Sequence, residues 1–451
     1  MWYVNFLEGS VMKKKIFIKN TSILTGTSCI NRVLGLGFRI YLTHIVGAVG
    51  IGLYQLVSVG YSFAVVLTAS GLSFAVTRIV SVYHAKKSIS ESQQVVKVCT
   101  ILGVFIGIVV GICMFSLSPI LSKYVFQNYR IELSLRILSL SLPFLAISAC
   151  MRGYFYASKN IFAVASEQIL EQIIEILVFS AIVAIYKVRL PEYICASVVI
   201  GTVLAEMISC LYSYLFFYRR MRLKSSNNSI LRKSILKEVV SISVPMTLSS
   251  CLNNGLSVFE NISIPRGLHQ YGLALDRSLG DYGKLTGMVY PIISFPASVL
   301  LSVALLIIPE LSALYALRDY KTIQRIVRKL VFVSLTFSIF IAGLLFLCAD
   351  WVGFAFYKND CGMYIRILAP IIPIIYVDVI LSGILKGINK QLQLMSYDFL
   401  NAIIRVILTL VLVPIFGIKG EIVIIFVNAI MMLTLNSIQL IKFMNSLIKD
   451  L

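Results

Sequence analysis

Charge is scarce in this chain and acid is scarcest: only 13% of the 451 residues are charged, and 20 are acidic. Soluble domains carry about 25% charged residues, so a water-soluble globular fold is excluded. Histidine is nearly absent. His44, His84 and His269 stand far apart, so they share no metal-ligand spacing, and no metal centre is expected. The nine cysteines form no CxxC pair and no Cys/His cluster, which excludes a zinc ribbon or a disulfide framework. Cys361 is the only one expected on the external side, so an intrachain external disulfide is excluded too, and the thiols read as small apolar fillers. There is no Walker motif, hence no ATPase of its own. The Gly-rich stretch 47–52 lacks a following P-loop lysine and reads as a turn. The opening MWYVNFLEGSVMKKK has no small-residue cleavage site, so it reads as a leader ahead of an uncleaved first helix.

What the chain has is apolar length, with 59% hydrophobic residues. Runs long enough for a hydrocarbon core of about 30 Å recur twelve times: 17–42, 51–79, 95–118, 133–156, 161–186, 193–218, 238–262, 285–311, 327–349, 362–385, 393–416 and 419–442. The expectation is an all-α, multi-pass protein of the cell membrane. The net charge of +20 suggests nucleic acid at first sight, but its distribution argues otherwise. With the N-terminus inside, most of the 40 lysines and arginines fall in cytoplasmic segments, which puts both termini in the cytoplasm. The basic surplus is topology and contact with anionic membrane lipids, not nucleic-acid binding.

The pattern repeats. At an offset of 230, LRILSLSLPFLAISACMRGYF (135–155) lies on IRILAPIIPIIYVDVILSGIL (365–385) without a gap, matching Arg136 with Arg366, Pro143 with Pro373 and Gly153 with Gly383. Pro143 removes a backbone bond and should kink its helix. Two six-helix lobes follow, 1–237 and 238–451, with 218–237 as a basic cytoplasmic linker at the end of the first. An even helix count gives both lobes the same orientation, a parallel repeat of the kind that encloses a substrate path in transporters.

Intramembrane charge marks the candidate site. Arg32 and Arg39 are seven residues apart and share a helix face. Each costs roughly 2.5–3.5 kcal/mol at membrane depth, so an anionic partner or polar cavity is implied. In the fifth run, Glu167, Glu171 and Glu175 make one stripe, flanked by Gln168 and Gln172. On a rise of about 1.5 Å per residue, Arg32, Glu171 and Glu175 lie at about 22, 15 and 21 Å depth, so a pairing of Arg32 with Glu171 or Glu175 is geometrically possible. Such a pair either fixes helix packing or forms a headgroup site tuned by carboxylates. The seventh run carries Ser250, Asn254, Ser257 and Asn261 on one stripe and Asn253 with Glu260 on the next, a polar wall or interhelical glue. Glu260 and Arg266 are expected near the external surface. Arg405 occupies the offset-230 place of Glu175.

These residues carry a resemblance. NRVLGLGFRIYLTHIVGAVGIGLYQ (31–55), with Arg32, Gly35, Arg39, Gly47, Gly50, Gly52, Tyr54 and Gln55, and the block at 263–314, with Pro265, Arg266, Tyr282, Gly283, Gly287, Pro296 and Pro309, are similar to the polysaccharide-transporter branch of the multidrug/oligosaccharidyl-lipid/polysaccharide exporter (MOP) superfamily. Its sporulation members are related to lipid II flippases. Glu175 stands where relatives have a basic residue, Glu260 where they have Asp, and Gly267 where they have a second basic residue. The resemblance implies a MOP/MATE-like fold and a non-enzymatic flippase that moves a lipid-linked, pyrophosphate-bearing sugar outward by alternating access, serving spore-cortex wall synthesis.

Arg32, Arg39, Glu171, Glu175, Asn253, Asn254, Glu260 and Arg266 are the expected substrate-binding set. No cofactor is expected; the driving force is a proton, Na⁺ or the membrane potential. The expected partners are the lipid-linked anionic sugar, membrane lipids and cell-wall synthases, with the protein itself a monomer. Competing readings are an ion-coupled drug exporter, a membrane glycosyltransferase or polymerase, and a sporulation scaffold. The glycosyltransferase needs a carboxylate near the first external loop, and 44–50 has none. A scaffold leaves the arginines unexplained.

Overall fold

Long apolar runs with no water to satisfy their backbones have one local solution, the α-helix, and the chain takes it nearly throughout. The computed structural model describes residues 2–86, 88–186, 190–220, 229–317, 319–357 and 361–449. In order the helices are α1 (Trp2–Val65), α2 (Gly71–Ala85), α3 (Ile89–Ile120), α4 (Glu132–Ser139), α5 (Leu142–Ala157), α6 (Ile161–Tyr186), α7 (Pro191–Arg220), α8 (Ser229–Gln270), α9 (Leu275–Tyr282), α10 (Tyr290–Ser294), α11 (Ala297–Ala316), α12 (Tyr320–Leu347), α13 (Ala349–Tyr357), α14 (Gly362–Leu368), α15 (Ile372–Gly387), α16 (Gln391–Phe416) and α17 (Ile418–Lys449). Among the described residues, nine helices are long and apolar enough to cross a membrane, or up to eleven if each of two bent pairs is one span. The bend between α4 and α5 is 53°, at the expected Pro143. The other, 56°, precedes α11 at Pro296.

The chain divides into two compact units. Unit 1 holds Met1–Gly35 and Leu56–Val258, and unit 2 holds Leu36–Gln55 and Phe259–Leu451. The division therefore falls inside α8 rather than at 237/238, and the end of the first run travels with unit 2. The centre of the expected linker, 221–228, lies outside the described residues.

In unit 1 the helices meet through small residues, as they must when lipid is as apolar as any side chain. Gly103, Gly107 and Gly111 repeat at i+4 along α3. A Cβ on Gly107 would lie 2.8 Å from the Pro143 backbone, and one on Gly111 2.9 Å from the Ser139 carbonyl. Around this seam Val76, Ile79, Val96, Cys150 and Phe155 form the buried core. Large apolar side chains such as Phe105 and Ile112 point outward, where acyl chains would cover them.

In unit 2, Gly47 breaks α1 with φ 70° and ψ −174°, a conformation open to glycine and costly for any side chain. The turn expected over 47–52 is thus a single non-helical residue at Gly47, with helix on both sides of it. Beyond it the chain is pressed against α9, since a Cβ on Gly52 would sit 2.2 Å from the Leu279 carbonyl oxygen. Tyr376 of α15 donates its hydroxyl to the Ile293 carbonyl at 2.6 Å, and Tyr357 to that of Met288 at 3.1 Å. Cys361, expected on the external side, is buried beside Met288. The 263–270 stretch, expected as loop, continues α8, and the turn comes after it at Gly272, φ 105°.

Candidate functional site

A tight turn at Ser158–Asn160, with Lys159 at φ 58°, folds α6 back on α5. It brings Arg152 of α5 to 3.0 Å from Glu167 and 3.9 Å from Glu171, both on α6. The Glu167 side chain is fully buried and that of Arg152 is 19% exposed. From α7, Ser209 donates to Glu167 at 3.2 Å, and the buried Glu206 lies in the field of Arg152, Glu167, Glu171 and Glu175. Glu175, one turn further along α6, accepts from Thr202 at 2.8 Å and from Gln172 at 3.3 Å. Three carboxylates, Glu167, Glu171 and Glu206, thus converge on one guanidinium, with Glu175 one turn beyond them. Such an acidic surplus away from water is chemically suited to holding and releasing a proton or a monovalent cation. Among the described residues no three His, Cys, Asp or Glu converge as a metal-ion site.

Unit 2 has its own polar centre. Arg405 of α16 forms an ion pair with Glu260 of α8, and the buried Glu421 of α17 lies in the field of both. Tyr282 donates to Asn261 at 3.0 Å. Arg39 donates to the Gly287 carbonyl through a long 3.4 Å bond, and its charge reaches Tyr282 and Tyr357. Deeper in the unit, Asn436 of α17 donates to Asp378 at 2.7 Å and approaches Ser382 at 3.4 Å, both on α15.

The pairing of Arg32 with Glu171 or Glu175 that their depths allow does not form. Glu171 is taken by Arg152 and Glu175 by Thr202 and Gln172, because the α5–α6 turn makes those helices neighbours. Arg32 is exposed, without an ion-pair or hydrogen-bond partner among the described residues. Of the other expected residues, Asn253 is exposed, Asn254 accepts from Ser62 at 3.4 Å, and Arg266 is half-buried. Glu260, expected near the external side, is buried against Arg405. Unit 1 therefore holds Arg32, Glu171, Glu175, Asn253 and Asn254, and unit 2 holds Arg39, Glu260 and Arg266. Arg152, Glu206 and Glu421 were missed. A lone acid such as Glu206 inside an apolar run was the available signal.

Comparison with known proteins places these features. A family described as "Polysaccharide biosynthesis protein" matches residues 17–312. The chain is 26% identical to stage V sporulation protein B of Bacillus subtilis (strain 168) over 420 residues, covering 91% of this chain and 80% of that protein. It is 22% identical over 435 residues to the lipid II flippase MurJ of the same organism, covering 90% and 79%. Among solved structures, an inward-facing multidrug resistance MATE family transporter of the MOP superfamily superposes with a TM-score of 0.62 at 14% identity, covering 94% of this chain and 95% of that one. The last likeness speaks to the fold alone.

Proposed function

Because the chain belongs to the polysaccharide biosynthesis protein family, we propose that it is a flippase carrying a lipid-linked, pyrophosphate-bearing sugar across the cytoplasmic membrane by alternating access. One observation carries this reading. Arg32 lies within a membrane-spanning helix as an exposed guanidinium with no anionic partner among the described residues. An unpaired arginine at that depth is costly unless it meets an anion, and its planar fork suits phosphate oxygens. Arg39 supports it, since its one long hydrogen bond leaves donors over. The names of the relatives favour a peptidoglycan precursor as cargo and sporulation as the setting. The surplus carboxylates around Arg152 are the place where a proton or Na⁺ would couple to transport, with Glu171 and Glu175 as members, and the membrane potential acts on the same charges.

The architecture proposed is twelve spans in two repeated bundles with cytoplasmic termini. Cys29–His84, at 56 residues, is about 84 Å of helix, far more than one crossing needs, and Gly47 divides it. The repeat is supported by α5 and α15, of 16 residues each, and α6 and α16, of 26 each, all beginning 230 positions apart. The turns between them have Lys159 and Asn389, also 230 apart, at φ 58° and 64°.

The test is headgroup accessibility of lipid-linked substrate in proteoliposomes. Arg32→Lys keeps charge but loses the bidentate fork, so it should impair flipping while the protein inserts normally; the Arg32→Gln/Arg39→Gln double variant should abolish it. Wild-type flipping in both would remove the reading. A second reading, an exporter of cationic drugs, is favoured by the acidic centre of unit 1. It predicts drug efflux that survives the double variant.

A further inference from the structure

The pair Glu260–Arg405 would be electrically complete by itself, yet a second carboxylate is buried with it. Glu421 is 2% exposed and Glu260 3%. The Glu421 Oε2 atom and both amide atoms of Asn428, seven residues on along the same face of α17, are buried without a hydrogen-bond partner among the described residues. The charged and titratable groups facing Glu421 are Glu260 of α8, Arg405 of α16 and Tyr282 of α9, with Arg39 of α1 beyond Tyr282. Two carboxylates and one guanidinium leave one negative charge over, in a place where an unpaired charge is strongly disfavoured.

We propose that Glu260, Arg405 and Glu421 form a proton-binding site with a built-in cation. The guanidinium fills the place that a free monovalent metal cation would take beside two carboxylates, and Glu421 exchanges the remaining proton with water. On release, the O–H bond of the Glu421 carboxylic acid breaks, its electron pair stays on the carboxylate oxygen and the proton passes to water as hydronium. A tethered guanidinium cannot leave with each cycle, so an alkali cation has no vacancy in the unaltered site. This site is separate from the carboxylates around Arg152, and the inference does not depend on the cargo proposed above.

The test uses the purified full-length protein in detergent without cargo. Infrared difference spectra across a pH jump, with a dye counting released protons, should lose one protonated-carboxyl band and one proton per chain in Glu421→Gln. In wild type, replacing choline chloride with sodium chloride should change neither. Arg405→Ser vacates the cation's place, and sodium should then raise its melting temperature and displace the proton. Should Glu421→Gln fold poorly, Glu421→Asp should move the band in frequency while still titrating. An unchanged band and proton count in the Glu421 variants overturns the proposal, as does sodium displacing the proton from wild type.

Discussion

Arg152→Met is the sharpest perturbation of unit 1, because it removes the single guanidinium facing Glu167, Glu171 and Glu206. At 3.0 Å and an effective dielectric of about 20, the Arg152–Glu167 attraction is about 5–6 kcal/mol, against several kcal/mol of desolvation per ion. The net worth of the pair is therefore small, but the cost of breaking it is not. Glu167 is fully buried, so losing its partner strands a carboxyl and should cost about 3–5 kcal/mol, towards the lower end because Arg152 keeps some solvent. Replacing both, as Arg152→Met with Glu167→Met, removes charge and stranded partner together and should recover most of the loss. Thermal unfolding in detergent and on-column aggregation report the order: wild type and double variant close together, Arg152→Met well below. If Arg152→Met alone were as stable as wild type, the buried-pair argument would be wrong for this site.

Thr202→Val removes the 2.8 Å hydrogen bond to Glu175 and should cost about 1–3 kcal/mol, read from the melting temperature; Thr202→Ser should restore it. Gly52→Ala drives a methyl into the Leu279 carbonyl, so folded yield should collapse, whereas Gly26→Ala, with nothing within 4 Å, should express normally. Asp319 caps α12 by accepting from the Thr322 amide at 3.2 Å, and hydrogen bonding from the Thr322 side chain, then from that amide, holds its carboxyl below the ordinary range. Because the folded value is the lower one, the cap is fully present above the unfolded pKa and is lost as pH falls through the folded one. Asp319→Asn should flatten that acid-side dependence in amide exchange of the first turn of α12, and an unchanged pH profile would count against the cap.

Local rules were legible in the sequence and lateral ones were not. The apolar runs, the Pro143 bend and the Gly47 break follow from length, ring geometry and backbone freedom, all written within a few residues. The Arg32 pairing failed because depth along a helix says nothing about which helix stands alongside. Nearness along the chain would have done better. Arg152 and Glu167 lie six residues before and seven after Asn160 and its neighbours in the turn, so an antiparallel hairpin sets them face to face. The partner of Glu260 was hidden for a related reason: Arg405 stands 145 positions on, in a helix whose neighbours the spacing does not reveal.

The α5–α6 and α15–α16 hairpins share their form and differ in their chemistry. Ser209 donates to Glu167 in unit 1, and 230 positions on, Tyr397 donates to Gln439 at 3.5 Å in unit 2. Glu206 stands in the field of Arg152, and their counterparts Asn436 and Ser382 lie 3.4 Å apart. Contacts between corresponding helices are thus retained where the charges are not, because helix lengths and the left-handed turn residue fix which positions meet, whatever side chains occupy them. Charge is then free to change at fixed geometry. Unit 1 gathers carboxylates around Arg152, whereas unit 2 has Ser382, Tyr397 and Asn436 at the places of Arg152, Glu167 and Glu206, with Asp378 accepting from Asn436, and keeps its own ion pair at Arg405, the position answering to Glu175.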